Sequence, residues 1–329
     1  MSAARRVAVL KGGRSLERAV SLRSGAQVQD GLQRLGHEVT AIDVGPELVA
    51  ELQAAGVDTA FIALHGREGE DGTVQGLLEA IGLPYTGSGP AACMRATDKL
   101  LAKHLMREAG IPTPDFHFLR EGSIKELGAG AALGAMEAQL GFPLVVKPAT
   151  GGSALGVKFA ADRERLPESL VGAFSYDATI LLERYVRGRD LAVSILDGQV
   201  LPGGEAPSEP APVALPVVEA VPREEDFYDY ESRYQIGMTT FVCPAELAPE
   251  TTARAQELAV EVYRLLGCHG VARVDLMLEH DTDELWVLET NVVPGLTETS
   301  LLPQAADAAG ITFDQLLELI LASADSRPA

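Results

Sequence analysis

Apolar residues recur along the first third of the chain in short runs separated by stretches of helical spacing. "RVAVL" (6–10), "HEVTAIDV" (37–44) and "TAFIAL" (59–64) have the length and composition of strands, while 21–35, 46–55 and 73–81 repeat their apolar positions at helical intervals. This alternation predicts a parallel sheet flanked by helices over residues 1–95. A longer helix is predicted over "DKLLAKHLMREAG", stopped by Gly110 and Pro112. A second unit, 96–187, contains the strands "PLVVKP" (143–148), "GVKFA" (156–160) and "TILLERYV" (179–186), with a helix near 165–174. The third unit is 188–329. Within it, 202–222 holds six prolines and predicts an extended surface loop, the start of a flexible segment near 202–235.

One hairpin breaks the pattern. In "VARVDLMLEHDTDELWVLETN" (271–291), Arg273, Asp275, Glu289 and Asn291 interrupt two runs rich in strand formers. A turn centred on Thr282 sets Asp275 opposite Glu289 and Arg273 opposite Asn291, with all four side chains on one face. Two carboxylates so close repel unless a cation lies between them. Asp, Glu and Asn oxygens are hard donors suited to magnesium or manganese. A solvated sheet face is the plainer alternative.

Composition narrows the field. Hydrophobic residues make up 47% of the 329 and charged residues 22%, a globular balance with room for two or three domains. No apolar run approaches membrane-span length, and the start of the chain lacks a signal-peptide core, so a cytoplasmic protein without a membrane partner is expected. The formal charge of −20 opposes binding to nucleic acid. Cys93, Cys243 and Cys268 are too scattered for a disulfide framework or zinc site and are expected as buried thiols. Lysines number only six, so their placement carries information.

In "KPATGGSALGVKF" (147–159) a strand ends at Lys147, and Gly151, Gly152 and Gly156 surround Ser153, a loop that lets backbone N–H groups approach phosphate. It matches neither common nucleotide-loop motif, and a plain hairpin turn has the same composition. "VAVLKGGRSLERAVSL" sets Gly-Gly between a strand and a helix without dinucleotide spacing. Glu17 is then a candidate for an ammonium group, or only a helix-entry acid. His65 follows a strand within "ALHGREGEDGTVQG", where ligands of parallel sheets bind. "FYDYESRY" (227–234) is a candidate lid over a reactive intermediate or an aromatic anchor for a long loop.

Taken in order, "GGRSLERAVSLRSG", "ALHGREGEDGTVQG", "LPYTGSG", Asp98–Lys99, "KPATGGSALGV", "FYDYESRY", "ARVDLML" and "LETNVVPGLTETSLLP" resemble the D-alanine–D-alanine ligases of the ATP-grasp superfamily over almost the whole chain. The resemblance implies an α/β, three-domain ATP-grasp fold with an N-terminal parallel-sheet, Rossmann-like domain. It implies ATP-dependent joining of two D-alanines through an acyl phosphate for peptidoglycan synthesis, in a cytoplasmic homodimer. By position, Lys99 and Lys147 would meet the ATP phosphates, Glu183 the adenine with Arg184 to Val186 beside it, and Asp190 the ribose. Asp275, Glu289 and Asn291 would hold two Mg²⁺ or Mn²⁺ ions. Glu17 would bind the first D-alanine's ammonium with His65 nearby, and Arg273 and the Gly295 amide would stabilise the oxyanion. Ser300 and Leu301 would position the second substrate, and Ser153 and Tyr234 would link the closed loops to Glu17.

Some positions depart from the family's pattern. Ala19 stands where a second acid is usual, Asp190 where Glu is, Arg233, which by the resemblance would serve the nucleotide, where Lys is, and Ala154 where a second serine is. None is a metal ligand or a phosphate lysine. By the resemblance, a tyrosine at position 234 implies D-alanine rather than a hydroxy acid as the acceptor. The rival readings are another ATP-grasp carboxylate–amine ligase, a Rossmann-type oxidoreductase, which lacks its glycine fingerprint here, and a non-catalytic nucleotide-binding protein.

Overall fold

The computed structural model describes residues 4–128, 130–152, 154–197, 211–222 and 239–326. The first segment runs β1 (Arg6–Lys11), α1 (Arg18–Arg34), β2 (Glu38–Asp43), α2 (Leu48–Ala55), β3 (Thr59–Ile62), α3 (Thr73–Ala80), α4 (Pro90–Thr97) and α5 (Lys99–Glu108). Its strands pair in parallel in the order β2-β1-β3. Val7 and Val9 of β1 are buried with Val28 and Leu32 of α1, whereas Ala8 and Leu10 join Leu52, Val74 and Leu78. Both faces of β1 are therefore covered, which is why its sequence shows an unbroken apolar run.

The middle segment comprises β4 (Phe116–Arg120), α6 (Glu121–Leu127), α7 (Gly130–Leu140), β5 (Leu144–Pro148), β6 (Lys158–Ala160), α8 (Leu166–Phe174) and β7 (Thr179–Arg184). It forms an antiparallel sheet ordered β4-β7-β5-β6. Leu144, Val146, Ile180 and Leu182 pack on Leu166, Leu170 and Ala173 of α8. The alternate residues Val145, Lys147, Leu181 and Glu183 are in register on the other face. That second face belongs to the site.

The last segment is β8 (Gly188–Leu196), β9 (Val213–Ala214), β10 (Val218–Pro222), β11 (Thr239–Val242), α9 (Pro249–Leu266), β12 (Val271–Glu279), β13 (Leu285–Asn291), α10 (Leu301–Ala308) and α11 (Phe313–Ala322). Its strands are ordered β11-β10-β8-β12-β13, with β9 also on β8. Leu191, Val193, Leu276 and Val287 share one buried cluster with Leu258 and Val262 of α9 and with Ala8 and Leu10 of the first sheet. The first and last segments are thus joined through a common core, and the middle one has a separate cluster. Close docking of α1 on α11 requires Gly31, where a Cβ would fall 2.3 Å from Leu317 Cδ1.

Two expectations need correction. The proline-rich stretch is not wholly a surface loop: β9 and β10 lie within it, and Leu215, Val217 and Val218 are buried. Pro222 ends β10 and Pro212 and Pro216 lie outside both strands, where a missing N–H costs the ladder least. Residues 202–210 are outside the described residues. Of the three free cysteines only Cys93 is buried; Cys243 and Cys268 are half-buried.

A polar knot ties 85–88 to the last segment. Asp197 Oδ2 accepts from the Gly270 amide at 2.7 Å and lies 3.1 Å from His269 Nδ1, while His269 Nε2 meets the Ser323 carbonyl at 2.8 Å and the His269 amide donates to Ser88 Oγ at 3.0 Å. Burial works against a charged His269, but hydrogen bonds to Asp197 and Ser323 and the charge of Asp197 outweigh it and raise its pKa above 6.5. A raised histidine contributes stability that is complete below pH 6.5 and lost as pH rises through the folded value. The melting temperature should therefore decline above pH 6.5, and His269→Gln should flatten that decline. Calorimetric scans of both proteins across neutral pH decide it; equal slopes would refute the assignment.

Candidate active site

In the first sheet β1 lies between β2 and β3, so the strand order reverses beside β1 and a crevice opens at the carboxyl ends. Gly12 and Gly13 line it with φ of +78° and +73°, which side chains disfavour. The Gly12 amide donates to Ser21 Oγ at 2.9 Å and the Gly13 amide to Asp43 Oδ1 at 3.2 Å. Glu17 occupies the N-cap of α1 and is 9% exposed. His65, beyond β3, is buried; its Nδ1 donates to the Val293 carbonyl at 3.0 Å, and its Nε2 is hydrogen-bonded to Ser24 Oγ at 2.8 Å. Ser24 Oγ also accepts from the Leu296 amide at 3.2 Å. His65 and Ser24 thereby hold the 293–296 turn against the crevice.

That turn carries Gly295, where a Cβ would fall 2.6 Å from Ser300 Oγ. Ser300 is the N-cap of α10 and Leu301 its first residue. Thr297 holds the serine, its amide 3.1 Å and its hydroxyl 2.8 Å from Ser300 Oγ.

The glycine loop closes the crevice from the middle segment. A Cβ on Gly152 would lie 3.0 Å from Glu17 Oε1 and 3.5 Å from Glu70 Oε2, and one on Gly66 3.2 Å from Glu17 Oε1. Glu70 is a residue that sequence reasoning missed. It is buried, with Oε1 3.8 Å from His65 Nδ1. Its only signal was a place among several acids in "GREGEDG". Two carboxylates converging on a glycine-lined crevice suit an ammonium group.

The hairpin has the expected register at its functional end, with Arg273 opposite Asn291 and Asp275 opposite Glu289. Beyond Asp275 a bulge shifts the pairing, so Leu276 faces Val287 and Leu288 is the extra residue. Across β8, Asp275 faces Ala192 and Met277 faces Asp190, which brings Asp190 to the same face. Arg273 grips Asp275 through Nε–Oδ1 at 2.6 Å and Nη2–Oδ2 at 2.8 Å. Burial pushes the Asp275 carboxyl up despite Arg273, and Glu289 adds repulsion. Burial would also raise Glu289, but the charges of Lys99, Lys147 and Arg273 hold it below the usual range. Asn291 Oδ1 accepts from the Val293 amide at 2.9 Å.

Lysines connect these parts. Lys99, at the start of α5, donates to the Gly151 carbonyl and stands 3.3 Å from Glu289 Oε2. Asp98 caps that helix by accepting from the Leu101 amide at 3.0 Å. Lys147 donates to Glu183 Oε1 at 2.8 Å on the polar face of the middle sheet. Lys103, also missed in the sequence, lies 2.5 Å from Glu183 Oε2. Arg184, ending β7, reaches Glu279 at 2.8 Å and lies 4.7 Å over the Trp286 ring, linking the middle sheet to the hairpin; Val186 is buried just beyond. Ser153, Arg233 and Tyr234, with the rest of "FYDYESRY", lie outside the described residues.

Asp275, Glu289 and Asn291 offer hard oxygens on one face, a set that fits Mg²⁺ or Mn²⁺. Among the described residues no cluster of three or more His, Cys, Asp or Glu forms. Two carboxylates and an amide suit an ion that shares its coordination with phosphate oxygens and water.

Comparison with known proteins points the same way. The model of the D-ala D-ala ligase C-terminus matches residues 105–322, and that of the N-terminus matches 46–88. A D-alanine–D-alanine ligase of Syntrophotalea carbinolica is 45% identical, covering 98% of this chain and 97% of its own. One from Synechococcus sp. strain JA-3-3Ab is 42% identical, covering 98% and 94%. The crystal structure of the Bacillus anthracis enzyme complexed with ATP superposes with a TM-score of 0.78 at 33% identity, covering 98% of this chain and 97% of that one.

Proposed function

The chain belongs to the D-alanine–D-alanine ligase family, and we propose that its crevice, glycine loop and hairpin divide that family's reaction among them. It is an ATP-dependent ligase with the ATP-grasp fold, joining two D-alanines into the dipeptide of peptidoglycan precursor synthesis. In our reading Glu17 binds the ammonium of the first D-alanine, with His65 and Glu70 shaping the crevice. Nucleotide lies between the 96–187 and 188–329 units, its phosphates met by Lys99 and Lys147, its ribose by Asp190 and its base by Glu183, Arg184 and Val186. Asp275, Glu289 and Asn291 would hold two Mg²⁺ or Mn²⁺ ions, which when bound would supply positive charge against the phosphates.

The first D-alanine's carboxylate takes the γ-phosphoryl group as ADP leaves, and the second D-alanine's amine, placed by Ser300 and Leu301, attacks the acyl phosphate, loses a proton and expels phosphate. Arg273 and the Gly295 amide stabilise the tetrahedral oxyanion. By the family resemblance Arg233 serves the nucleotide, and Ser153 and Tyr234 serve the shielding of the acyl phosphate from water. The chain acts in the cytoplasm as a homodimer, apart from membrane and nucleic acid. No helix among the described residues is long and apolar enough to cross a membrane.

The observation that carries this division is one chain of contacts. Glu17 borders Gly152, the neighbouring Gly151 carbonyl is held by Lys99, and Lys99 pairs with Glu289. Substrate crevice, phosphate loop and candidate metal face are thus contiguous. The test is ADP and dipeptide formation from Mg·ATP with D-alanine, using L-alanine and D-lactate as comparators. Dipeptide from D-alanine alone is expected; ADP release driven only by a different acceptor would overturn the substrate assignment.

A further inference from the structure

Lys103 has no part in the roles above, yet its surroundings are unusual for a lysine. It lies one turn beyond Lys99 on α5 and is fully buried. Lysines on amphipathic helices normally carry their ammonium out to water. This one is turned inward onto the polar face of the middle sheet. Its Nζ lies 2.5 Å from Glu183 Oε2, donates to Thr113 Oγ1 at 2.5 Å, and sits 5.4 Å from the centre of the Phe116 ring. Thr113 Oγ1 then donates to the Val287 carbonyl at 2.8 Å, on the strand that carries Glu289.

Charge and hydrogen-bond accounting give this lysine a task. Glu183 lies between two ammonium groups, and a single one would neutralise it. If Lys147 serves the nucleotide, Glu183 would face the ligand as an uncompensated buried carboxylate, a costly arrangement. Lys103 removes that cost. Each Glu183 oxygen meets one ammonium, Oε1 that of Lys147 and Oε2 that of Lys103, and with two lone pairs apiece each retains acceptor capacity. Burial pushes Lys103 down to about 8, which leaves it charged at neutral pH. Burial would raise Glu183, but Lys103 and Lys147 hold it below the usual range, so it stays an acceptor.

We propose that Lys103 is a positioning residue for base recognition: it fixes Glu183 as a hydrogen-bond acceptor and, through Thr113, ties that carboxylate to β13. The inference rests on the reading of Glu183 as the residue that meets the base. Its consequence is a preference for a purine bearing a 6-amino donor. A 6-oxo purine would set its carbonyl against the carboxylate lone pairs.

The test is calorimetric binding of Mg·ADP and Mg·IDP, which differ in that 6-substituent, to the full chain and its Lys103→Met variant, with KM values for ATP and D-alanine alongside. Lys103→Met should weaken ADP about tenfold, the scale of one charge-assisted hydrogen bond, and change IDP far less. KM for D-alanine at saturating ATP should hold. Glu183→Gln separates the two ideas. If it collapses the ADP preference and Lys103→Met does not, the inference fails and the base assignment stands. If neither moves the preference, both fail. Should Lys103→Met not fold, Thr113→Val decides: a several-fold rise in KM for ATP alone supports the tie, and no change overturns it.

Discussion

Asp275→Ala should lower turnover by about a thousandfold or more, beyond what loss of one oxyanion donor costs. Three effects coincide at this carboxylate. It is one of two carboxylates, with the Asn291 amide, that we assign to the metal ions, and it opposes Glu289 across the hairpin. It is the bidentate partner of Arg273 at 2.6 and 2.8 Å, so its loss frees the guanidinium assigned to the oxyanion. It also has Lys99 among the charges acting on it, so the phosphate-side lysine is disturbed too. Steady-state ADP release over a magnesium titration measures the loss. Asp275→Asn keeps size and removes charge, so a similar loss there assigns the effect to the charge. Wild-type turnover by either variant at ordinary magnesium would sink the metal assignment.

Stability should respond differently. A half-buried acid whose folded pKa is raised costs stability above its ordinary value of 3.8, a cost that falls as pH drops. Removing it relieves that cost and opposes the loss of the Arg273 pairing. A variant inactive yet folded is therefore expected, and circular dichroism with a melting curve checks it.

How far the site was legible in the sequence varied with the kind of signal. The hairpin was readable because four polar residues in strand-forming runs can share a face in only one register. Its bulge was not, since Leu288 is one apolar residue among several. The parallel strands of the first sheet were readable from unbroken apolar runs. β10 was missed because prolines suggest a loop, although Pro222 sits at the strand's end, where that objection is weakest. Glu70 and Lys103 were hidden for a deeper reason. A glutamate among acids and a lysine on a helix normally face water, and only the approach of other segments buries them. Their partners, Gly152 and Glu183, are distant in sequence.

Glu17→Gln should raise KM for the first D-alanine by about one to two orders of magnitude, the range of a hydrogen bond to a charged group, with KM for ATP nearly unchanged. The split follows from geometry. Glu17 belongs to the crevice at the end of β1, whereas the described residues assigned to nucleotide lie on α5, β5, β7, β8 and the β7–β8 connection. Glutamine has the same size, so contacts with Gly66 and Gly152 survive, and only the charge that attracts an ammonium is lost. Glu70 shares the crevice and limits the loss by keeping one carboxylate there. The double variant Glu17→Gln with Glu70→Gln should therefore exceed the sum of the single effects on a logarithmic scale. Kinetics with each substrate varied at saturating levels of the other measures both. An unchanged KM for D-alanine in the double variant would move ammonium recognition away from this crevice.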